Sequence, residues 1–126
     1  MMTTMPTRTA YKRGDVVLVL FPHSDLHMAK QRPALIVQAD DLDTGLSQVI
    51  VSMITSKLFR ADHPSRLTIL LSTTEGKQSG LLTNSVVMTD NLATVTELAI
   101  SRVIGQLPMV DIDRALRHTL GLQQQG

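Results

Sequence analysis

The sequence predicts a single, mainly β domain: a small β-barrel that carries short helices and ends in an α-helix. Short apolar runs rich in β-branched residues recur along the chain, turn-forming residues separate them, and only the last run has helical spacing. The chain has 126 residues, enough for one domain with a substantial core. We expect the domain to occupy residues 11–122, between flexible tails at 1–10 and 123–126.

Seven segments are predicted to be strands. Residues such as Pro, Gly and Asp cluster between them, at a spacing typical of a sandwich or barrel rather than of alternating strands and helices. Several segments are apolar without a break, as in strands covered on both faces, so we expect a closed barrel covered by a helix or a dimer partner. The predicted strands are Val16–Phe21, Ala34–Gln38, Gln48–Thr55, Leu67–Leu71, Ser85–Thr89, Ala93–Val95 and Arg102–Leu107.

The C-terminal segment predicts an amphipathic helix. From Met109 onwards, apolar residues recur at steps of three and four, and charged residues occupy the other side. Pro108 suits the first helical position, and Gly121 suits the residue that ends a helix. Asp111 and Asp113 in the first turn complement the positive end of the helix dipole.

Composition excludes several classes of protein. The chain is 43% hydrophobic, yet its only aromatic residues are Tyr11, Phe21 and Phe59, so the core must be aliphatic. Without cysteine there is no disulfide or thiolate metal site, which is compatible with a reducing cytoplasm. No apolar window is long enough to span a membrane. The net charge of +1 does not itself indicate nucleic-acid binding, although basic residues concentrate in segments 23–32 and 57–66.

Two short motifs precede predicted strands. Arg13-Gly14-Asp15 comes before the first strand, and Gln31-Arg32-Pro33 comes before the second. An arginine tied to a rigid proline at the start of a strand presents a cation in a defined position. The sequence has no Cys/His cluster, phosphate-binding Gly-rich loop or Ser-His-Asp pattern, so neither a metal nor a cofactor is indicated.

The motifs resemble those of a known family. RGDVVLVLFP at 13–22, followed by QRPALIVQ at 31–38, is similar to the MazF/PemK/Kid family of toxin endoribonucleases from bacterial toxin–antitoxin pairs. Blocks at 49–56, 80–90 and 104–116 resemble the family in the same order, so the resemblance covers nearly the whole chain. It implies an SH3-like barrel of the CcdB/MazF type. The chain departs from the family at 88–97, where members often carry basic residues, and this bears on which RNA sequence is recognised.

The resemblance also implies an activity, namely metal-independent, sequence-specific cleavage of single-stranded RNA such as mRNA, in which the ribose 2′-OH attacks the neighbouring phosphorus. Arg32 matches the family's catalytic arginine, and Thr55 matches its functional threonine. A guanidinium is deprotonated in only about one molecule in 10⁵–10⁷ at neutral pH, so Arg32 is expected to stabilise charge rather than act as the base. His27 is the candidate for a titrating catalytic group.

Six further residues are expected to line the RNA path. Asp25 and Asp90 are candidates either to accept hydrogen bonds from base edges or to hold Arg32. The predicted RNA-binding residues are Ser24, Asp25, Lys30, Gln31, Ser56 and Asp90.

The resemblance implies a symmetric homodimer in the bacterial or archaeal cytoplasm, held inactive by a cognate antitoxin, with no membrane association. Two other functions remain open from the sequence. One is a CcdB-like gyrase poison, which shares the barrel but needs neither Arg32-Pro33 nor Thr55. The other is a catalytically degenerate paralogue that binds only an antitoxin or RNA, suggested by the absence of basic residues near Met88 and Ala93.

Overall fold

A computed structural model describes residues 10–22 and 29–122. Its strands form one antiparallel sheet in the order β4-β5-β3-β2-β1-β6. The strands are β1 (Asp15–Pro22), β2 (Ala29–Ile36), β3 (Gln48–Thr55), β4 (Arg66–Ile69), β5 (Ser85–Thr96) and β6 (Ile100–Gln106). Two α-helices, α1 (Thr74–Gln78) and α2 (Val110–Leu120), and two single-turn 3₁₀ helices, Leu58–Arg60 and Glu97–Ala99, complete the described part.

The mainly β class and the C-terminal helix are confirmed, but the sheet is open. Strands β4 and β6 occupy its two edges, so the strands do not close into the complete barrel that continuous apolar runs suggested. Those runs have another cause: neighbouring residues of one strand enter separate cores on the two faces of the sheet. Val17, Ala34 and Val86 belong to one buried cluster, whereas Val16 and Leu35 belong to the other.

Strand β5 joins two segments that were predicted to be separate strands. It pairs with β3 along both of its arms, but the register shifts between Ser52, opposite Leu92, and Met53, opposite Met88. Three β5 residues at 89–91 are therefore accommodated in a bulge, a feature that bends a strand and increases its twist. The polar residues that separated the two predicted strands belong to this bulge.

Helix α2 covers the second cluster by burying Ile112 completely. It begins at Val110 with Met109 as its N-cap, so the prediction that Pro108 takes the first helical position was wrong by two residues. Gly121 ends the helix in a left-handed conformation with φ of 69°, as predicted. No helix in the described ranges is long and apolar enough to cross a membrane.

Helix α1 was not predicted, because five residues are too few to show a periodic pattern. Its local signal is Thr73, whose hydroxyl oxygen accepts a hydrogen bond from the Gly76 N–H at 3.0 Å. Gly76 packs so closely on the preceding turn that a Cβ atom there would lie 2.0 Å from the Leu70 carbonyl oxygen. This contact explains why the position is glycine.

The Arg13-Gly14-Asp15 motif is part of the framework of the fold. Arg13 donates from Nε to the Val37 carbonyl oxygen at 3.0 Å and forms an ion pair with Asp113 of α2. Asp15 is 7% exposed and accepts a hydrogen bond from the Lys12 N–H at 2.9 Å. The motif therefore ties the start of β1 to its neighbours.

Candidate functional site

A gap between β2 and β3 creates the candidate site. Residues of β2 pair with β1 from Ala29 to Leu35, but they pair with β3 only from Ala34 to Ile36. Pro33 is the first residue beyond the β3 ladder, and it has no N–H to donate to that strand. The β2–β3 ladder therefore stops at Ala34, and the first half of β2 continues as an arm paired with β1.

Arg32 and Thr55 lie at this gap. The last β2–β3 pair is Ala34 with Met53, and Arg32 and Thr55 are each two residues further along their strands. Because side chains alternate along a strand, both lie on the same face as that pair. The sequence placed Arg32 at the start of its strand; it actually lies within β2, which extends back to Ala29 through pairing with β1.

Two adjoining hollows meet at these residues. The first has a volume of about 690 Å³ and lies between the β2 arm, the end of β3, the 80–85 segment and β6. The second, of about 380 Å³, lies between the ends of β2 and β3, the Leu58–Arg60 turn and the bulged part of β5. We call them together the cationic groove. The residues that line both hollows are Arg32, Ile54, Thr55 and Lys57.

The charge of the groove has one sign. Among residues 10–22 and 29–122, five basic side chains line it and no Asp or Glu does: they are Lys30, Arg32, Lys57, Arg60 and Arg102. The three ion pairs formed among residues 10–22 and 29–122 all lie elsewhere. Within the same ranges, the Arg32 side chain has neither a hydrogen bond nor an ion pair. Concave surfaces lined by uncompensated cations attract polyanions.

Thr55 has a defined hydrogen-bonding role. Its Oγ1 accepts a hydrogen bond from the Lys57 N–H at 3.2 Å, across the turn that follows β3. A hydroxyl has one hydrogen to donate and two lone pairs to accept with. Because the Lys57 N–H uses one of those lone pairs, the Thr55 hydrogen is directed elsewhere and is free to be donated to a ligand.

Half of the predicted RNA-binding residues line the groove. Lys30, Gln31 and Ser56 are found in the first hollow, and the Gln31 amide also donates to the Ser101 hydroxyl at 3.3 Å. The predicted positions Ser24, Asp25 and His27 lie outside the described residues.

Asp90 does not line the groove and does not hold Arg32. It accepts two hydrogen bonds from Arg66, from Nε to Oδ1 at 3.2 Å and from Nη2 to Oδ2 at 2.6 Å. These bonds lower the pKa of the Asp90 carboxyl group below its ordinary value. The alternative that Asp90 restrains Arg32 was therefore wrong, because the partner of this carboxylate is Arg66. A contact of Asp90 with RNA stays a prediction.

Sequence reasoning missed several groove residues. Lys57 and Arg60 belong to a basic segment that was noticed but not assigned to the site. Arg102 enters the groove from β6, where its register places it opposite Leu18 of β1. No signal in the sequence marks Arg102, since only the order of the strands brings β6 beside the β2 arm. Leu82 and Thr83 likewise arrive through the turn before β5.

The groove has the features of a site for a phosphodiester polymer. It offers fixed positive charge for phosphate oxygens, a hydroxyl donor beside that charge, and polar side chains along its walls. Within the described ranges, no three His, Asp or Glu side chains are grouped so that they could hold a metal ion. Fold and groove together define the class as a small β-sheet protein whose cationic groove suits a phosphodiester backbone.

Comparison with known proteins identifies the family. Residues 12–120 match the family of PemK-like, MazF-like toxins of type II toxin–antitoxin systems, and this chain belongs to that family. Endoribonuclease MazF2 of Mycobacterium bovis and endoribonuclease MazF6 of Mycobacterium tuberculosis are each 32% identical to it over 107 residues. Each alignment covers 82% of this chain and 90% of the relative.

Solved structures share the fold. An endoribonuclease in complex with its cognate antitoxin, from a Mycobacterial species, has a TM-score of 0.71 at 22% identity, and the match covers 92% of this chain and 100% of that one. MazF in a MazE–MazF crystal structure from Deinococcus radiodurans has a TM-score of 0.66 at 17% identity, covering 90% and 97%. At these identities the likeness establishes the fold.

Proposed function

We propose that this chain is the toxin of a type II toxin–antitoxin pair and acts in the cytoplasm as an endoribonuclease that cleaves single-stranded RNA, mRNA included, at specific sequences. Cleavage proceeds without a metal ion, through attack of a ribose 2′-OH on the adjacent phosphorus. One observation carries the proposal: Arg32 and Thr55 both line a groove at a gap in the sheet, where the described residues supply five basic side chains and no carboxylate. The activity named for the MazF relatives supports it.

Arg32 acts on the scissile phosphate. Its planar guanidinium can bind two phosphate oxygens at once, and no described carboxylate competes for it. Negative charge accumulates on those oxygens when the 2′-oxygen adds to phosphorus. A fixed cation at that place stabilises the transition state more than the ground state, which is the condition for accelerating the reaction.

Thr55 donates its hydroxyl hydrogen to a non-bridging oxygen of the same phosphate. The Lys57 N–H fixes the orientation of the hydroxyl by occupying one lone pair of its oxygen. Arg32 and Thr55 are contributed by different strands, so together they hold the phosphorus in a defined position relative to the attacking 2′-oxygen.

The two proton transfers require a group that takes the 2′-OH proton and one that protonates the leaving 5′-oxygen. Histidine titrates near neutral pH, and His27 remains our candidate for one of these roles. Arg32 donates but does not serve as the resting base, since a guanidinium stays protonated at neutral pH.

Sequence specificity is assigned to the polar walls of the groove. Bases of single-stranded RNA can be splayed outward and hydrogen-bonded on their edges. Gln31, Ser56, Thr83 and Asn91 line the two hollows and offer both donors and acceptors. The absence of basic residues near Met88 and Ala93 departs from the family pattern, so we expect the RNA sequence that this chain recognises to differ from those of family members that carry them.

The expected partners are an antitoxin and a second copy of the chain. An acidic, disordered antitoxin segment that folds on binding would occupy the cationic groove and exclude RNA. A two-fold axis would combine two such grooves into one longer path. Sedimentation at micromolar concentration is expected to give a species of about twice the 13.8 kDa mass of the chain; a monomer that cleaves RNA at full rate would contradict the shared path.

The proposal is tested by incubating the purified protein with a long RNA in excess EDTA and analysing the product ends. We expect cleavage at a limited set of sequences, with 2′,3′-cyclic phosphate on one product and 5′-OH on the other. Arg32→Ala, purified identically, controls for contaminating nucleases. An intact RNA would instead favour the gyrase poison or the degenerate paralogue. Cleavage that depends on added metal, or leaves 5′-phosphate ends, would overturn the mechanism.

A further inference from the structure

Phe59 is an aromatic side chain without a structural role in the described part of the protein. It is 80% exposed and belongs to neither buried cluster. A phenylalanine ring gains nothing from exposure to water, since burial of its apolar surface is what would stabilise the fold. Single exposed apolar residues are common, so the position of the ring decides whether it has a function.

The turn that carries the ring adjoins the cationic groove, although Phe59 itself lines neither hollow. It belongs to the 3₁₀ turn Leu58–Arg60, which follows Lys57, a residue of both hollows. Its neighbour Arg60 lines the second hollow, and the guanidinium carbon of Arg60 lies 5.8 Å from the centre of the Phe59 ring. Phe59 is the fourth residue after Thr55, so their Cα atoms are at most about 14 Å apart.

The turn that carries Phe59 is held in place by hydrogen bonds. The Arg60 and Ala61 N–H groups donate to the Lys57 and Leu58 carbonyl oxygens, both at 3.1 Å. The Arg60 carbonyl oxygen accepts from Arg66 Nη1 at 3.0 Å, and Arg66 is itself fixed by Asp90. The ring is thus presented from a supported backbone, and little ordering of the turn is needed when a ligand binds.

We propose that Phe59 stacks on a base of the bound RNA strand, close to the phosphate at Arg32 and Thr55, and that Arg60 strengthens this contact from beside the ring. The inference rests on the proposed function and adds a positioning residue to it. Aromatic rings are the usual platforms for bases of single-stranded nucleic acid, and an adjacent arginine contributes a cation–π term. With only three aromatic residues in the chain, hydrogen bonds from the polar walls dominate RNA binding, and Phe59 adds one stacking contact to them.

The chain contains no tryptophan, so Phe59→Trp introduces a single indole whose emission is quenched when a base stacks on it. The matched control is Leu46→Trp. Leu46 is 59% exposed, lines neither hollow and precedes β3, whose far end carries Thr55. At about 3.3 Å per residue, β3 extends about 23 Å from Gln48, two residues after Leu46, to Thr55.

The probe is a labelled RNA of the sequence that the protein cleaves, carrying 2′-O-methyl groups that prevent 2′-OH attack. Binding is followed by fluorescence anisotropy. We expect saturable quenching of Phe59→Trp with the same midpoint as the anisotropy, and no quenching of Leu46→Trp. Phe59→Ala is expected to weaken binding about 5- to 150-fold, whereas Leu46→Ala leaves it unchanged.

The outcomes separate this inference from the proposed function. Normal RNA cleavage and binding, with unchanged Phe59→Trp emission and wild-type affinity of Phe59→Ala, would overturn the stacking role and leave the activity standing. The ring would then be assigned to a protein contact instead. RNA binding with quenching, but without any cleavage of the unmodified RNA of the same sequence by the wild type, would overturn only the activity, since the probe can be copied from any single-stranded segment of the RNA offered as substrate. Failure of the wild type to bind the oligonucleotide would overturn both.

Discussion

Arg13 and Arg32 are two arginines in similar sequence motifs with opposite surroundings. Arg13 donates to the Val37 carbonyl oxygen at 3.0 Å and pairs with Asp113, whereas Arg32 has no side-chain partner among the described residues. The same contrast separates Arg66, bound to Asp90, from the five basic residues of the groove. Arginines that support the fold have carboxylate partners here, and those of the groove remain available to a phosphate.

Arg32→Ala is expected to have the largest effect on the rate of RNA cleavage. Loss of a charge that stabilises the transition state should lower the rate of RNA cleavage by about 10²–10³. Because Arg32 is exposed, the thermal midpoint should stay within a degree or two of wild type, a shift of a few tenths of a kcal/mol. Single-turnover cleavage and circular dichroism measure the two quantities. A variant that folds normally and cleaves at the wild-type rate would remove Arg32 from the site.

Thr55→Val should have the next largest effect. It preserves the shape of the side chain but removes the hydroxyl that we assign to the phosphate. A hydrogen bond to a charged group is worth roughly 1.5–3 kcal/mol, which corresponds to a rate loss of about 10- to 150-fold. Thr55→Ser retains the hydroxyl and should recover most of the rate. Equal rates for the Val and Ser variants would show that the hydroxyl is not used.

Lys57→Ala tests whether the groove binds the RNA backbone. Each phosphate neutralised on a single strand adds about 0.7 to the slope of log affinity against log salt concentration. The variant should therefore lose about 0.7 from that slope, whereas Arg13→Ala should keep the slope of the wild type. The slopes come from anisotropy titrations of the 2′-O-methyl RNA at several salt concentrations. Identical slopes for wild type and Lys57→Ala would place the RNA elsewhere.

Arg13→Ala tests whether an arginine outside the groove contributes to stability but not to RNA cleavage. It removes a hydrogen bond and a partly exposed ion pair, with side chains 27% and 33% exposed. We expect the free energy of unfolding to fall by about 1–2 kcal/mol in urea titrations. Cleavage at a temperature where the variant is folded should be unchanged. A large loss of activity without a loss of stability would contradict the distinction between the two arginines.

The smallest expected effect is on the free energy of unfolding at acid pH. Hydrogen bonds from Arg66 lower the pKa of Asp90 in the folded protein. A carboxylate with a lowered pKa stabilises the fold above its unfolded pKa of about 3.9, and this contribution disappears as pH falls through the folded value. The difference in unfolding free energy between wild type and Asp90→Asn should therefore narrow below about pH 4. A difference that is constant from neutral to acid pH would contradict this role of the pair.

Local patterns in the sequence predicted much of the fold, because strand periodicity and helix ends depend on residues that are close together in the chain. Strand β3 was predicted from Gln48 to Thr55, as found, and Gly121 ends α2 in the left-handed conformation that favours glycine. Strand β2 was predicted to begin five residues too late, because 30–32 are polar and 29–33 pair with β1 alone. The bulge of β5 was read as a break between strands, since a bulge and a turn draw on similar polar residues.

From the sequence, only those site residues could be predicted that lie in recognisable motifs. Arg32-Pro33 and Thr55 could be assigned from the sequence by resemblance, and the structure shows why the proline belongs beside the arginine: it marks the residue where β2 leaves β3. Arg102 could not be assigned, because it reaches the groove through the β1–β6 pairing, which is not local in sequence. Phe59 was counted as one of three aromatic residues, but its exposure next to the groove emerges only from the fold.

The central claim is that the basic side chains of the groove serve RNA cleavage by an internal 2′-OH. It is tested most directly with an RNA in which only the ribose at the cleaved bond is replaced by 2′-deoxyribose. The account predicts that this substrate binds with nearly the affinity of the unmodified RNA and is not cut at that position, while neighbouring cleavage sites are cut at their usual rates. Undiminished cleavage at the deoxy position would contradict the account.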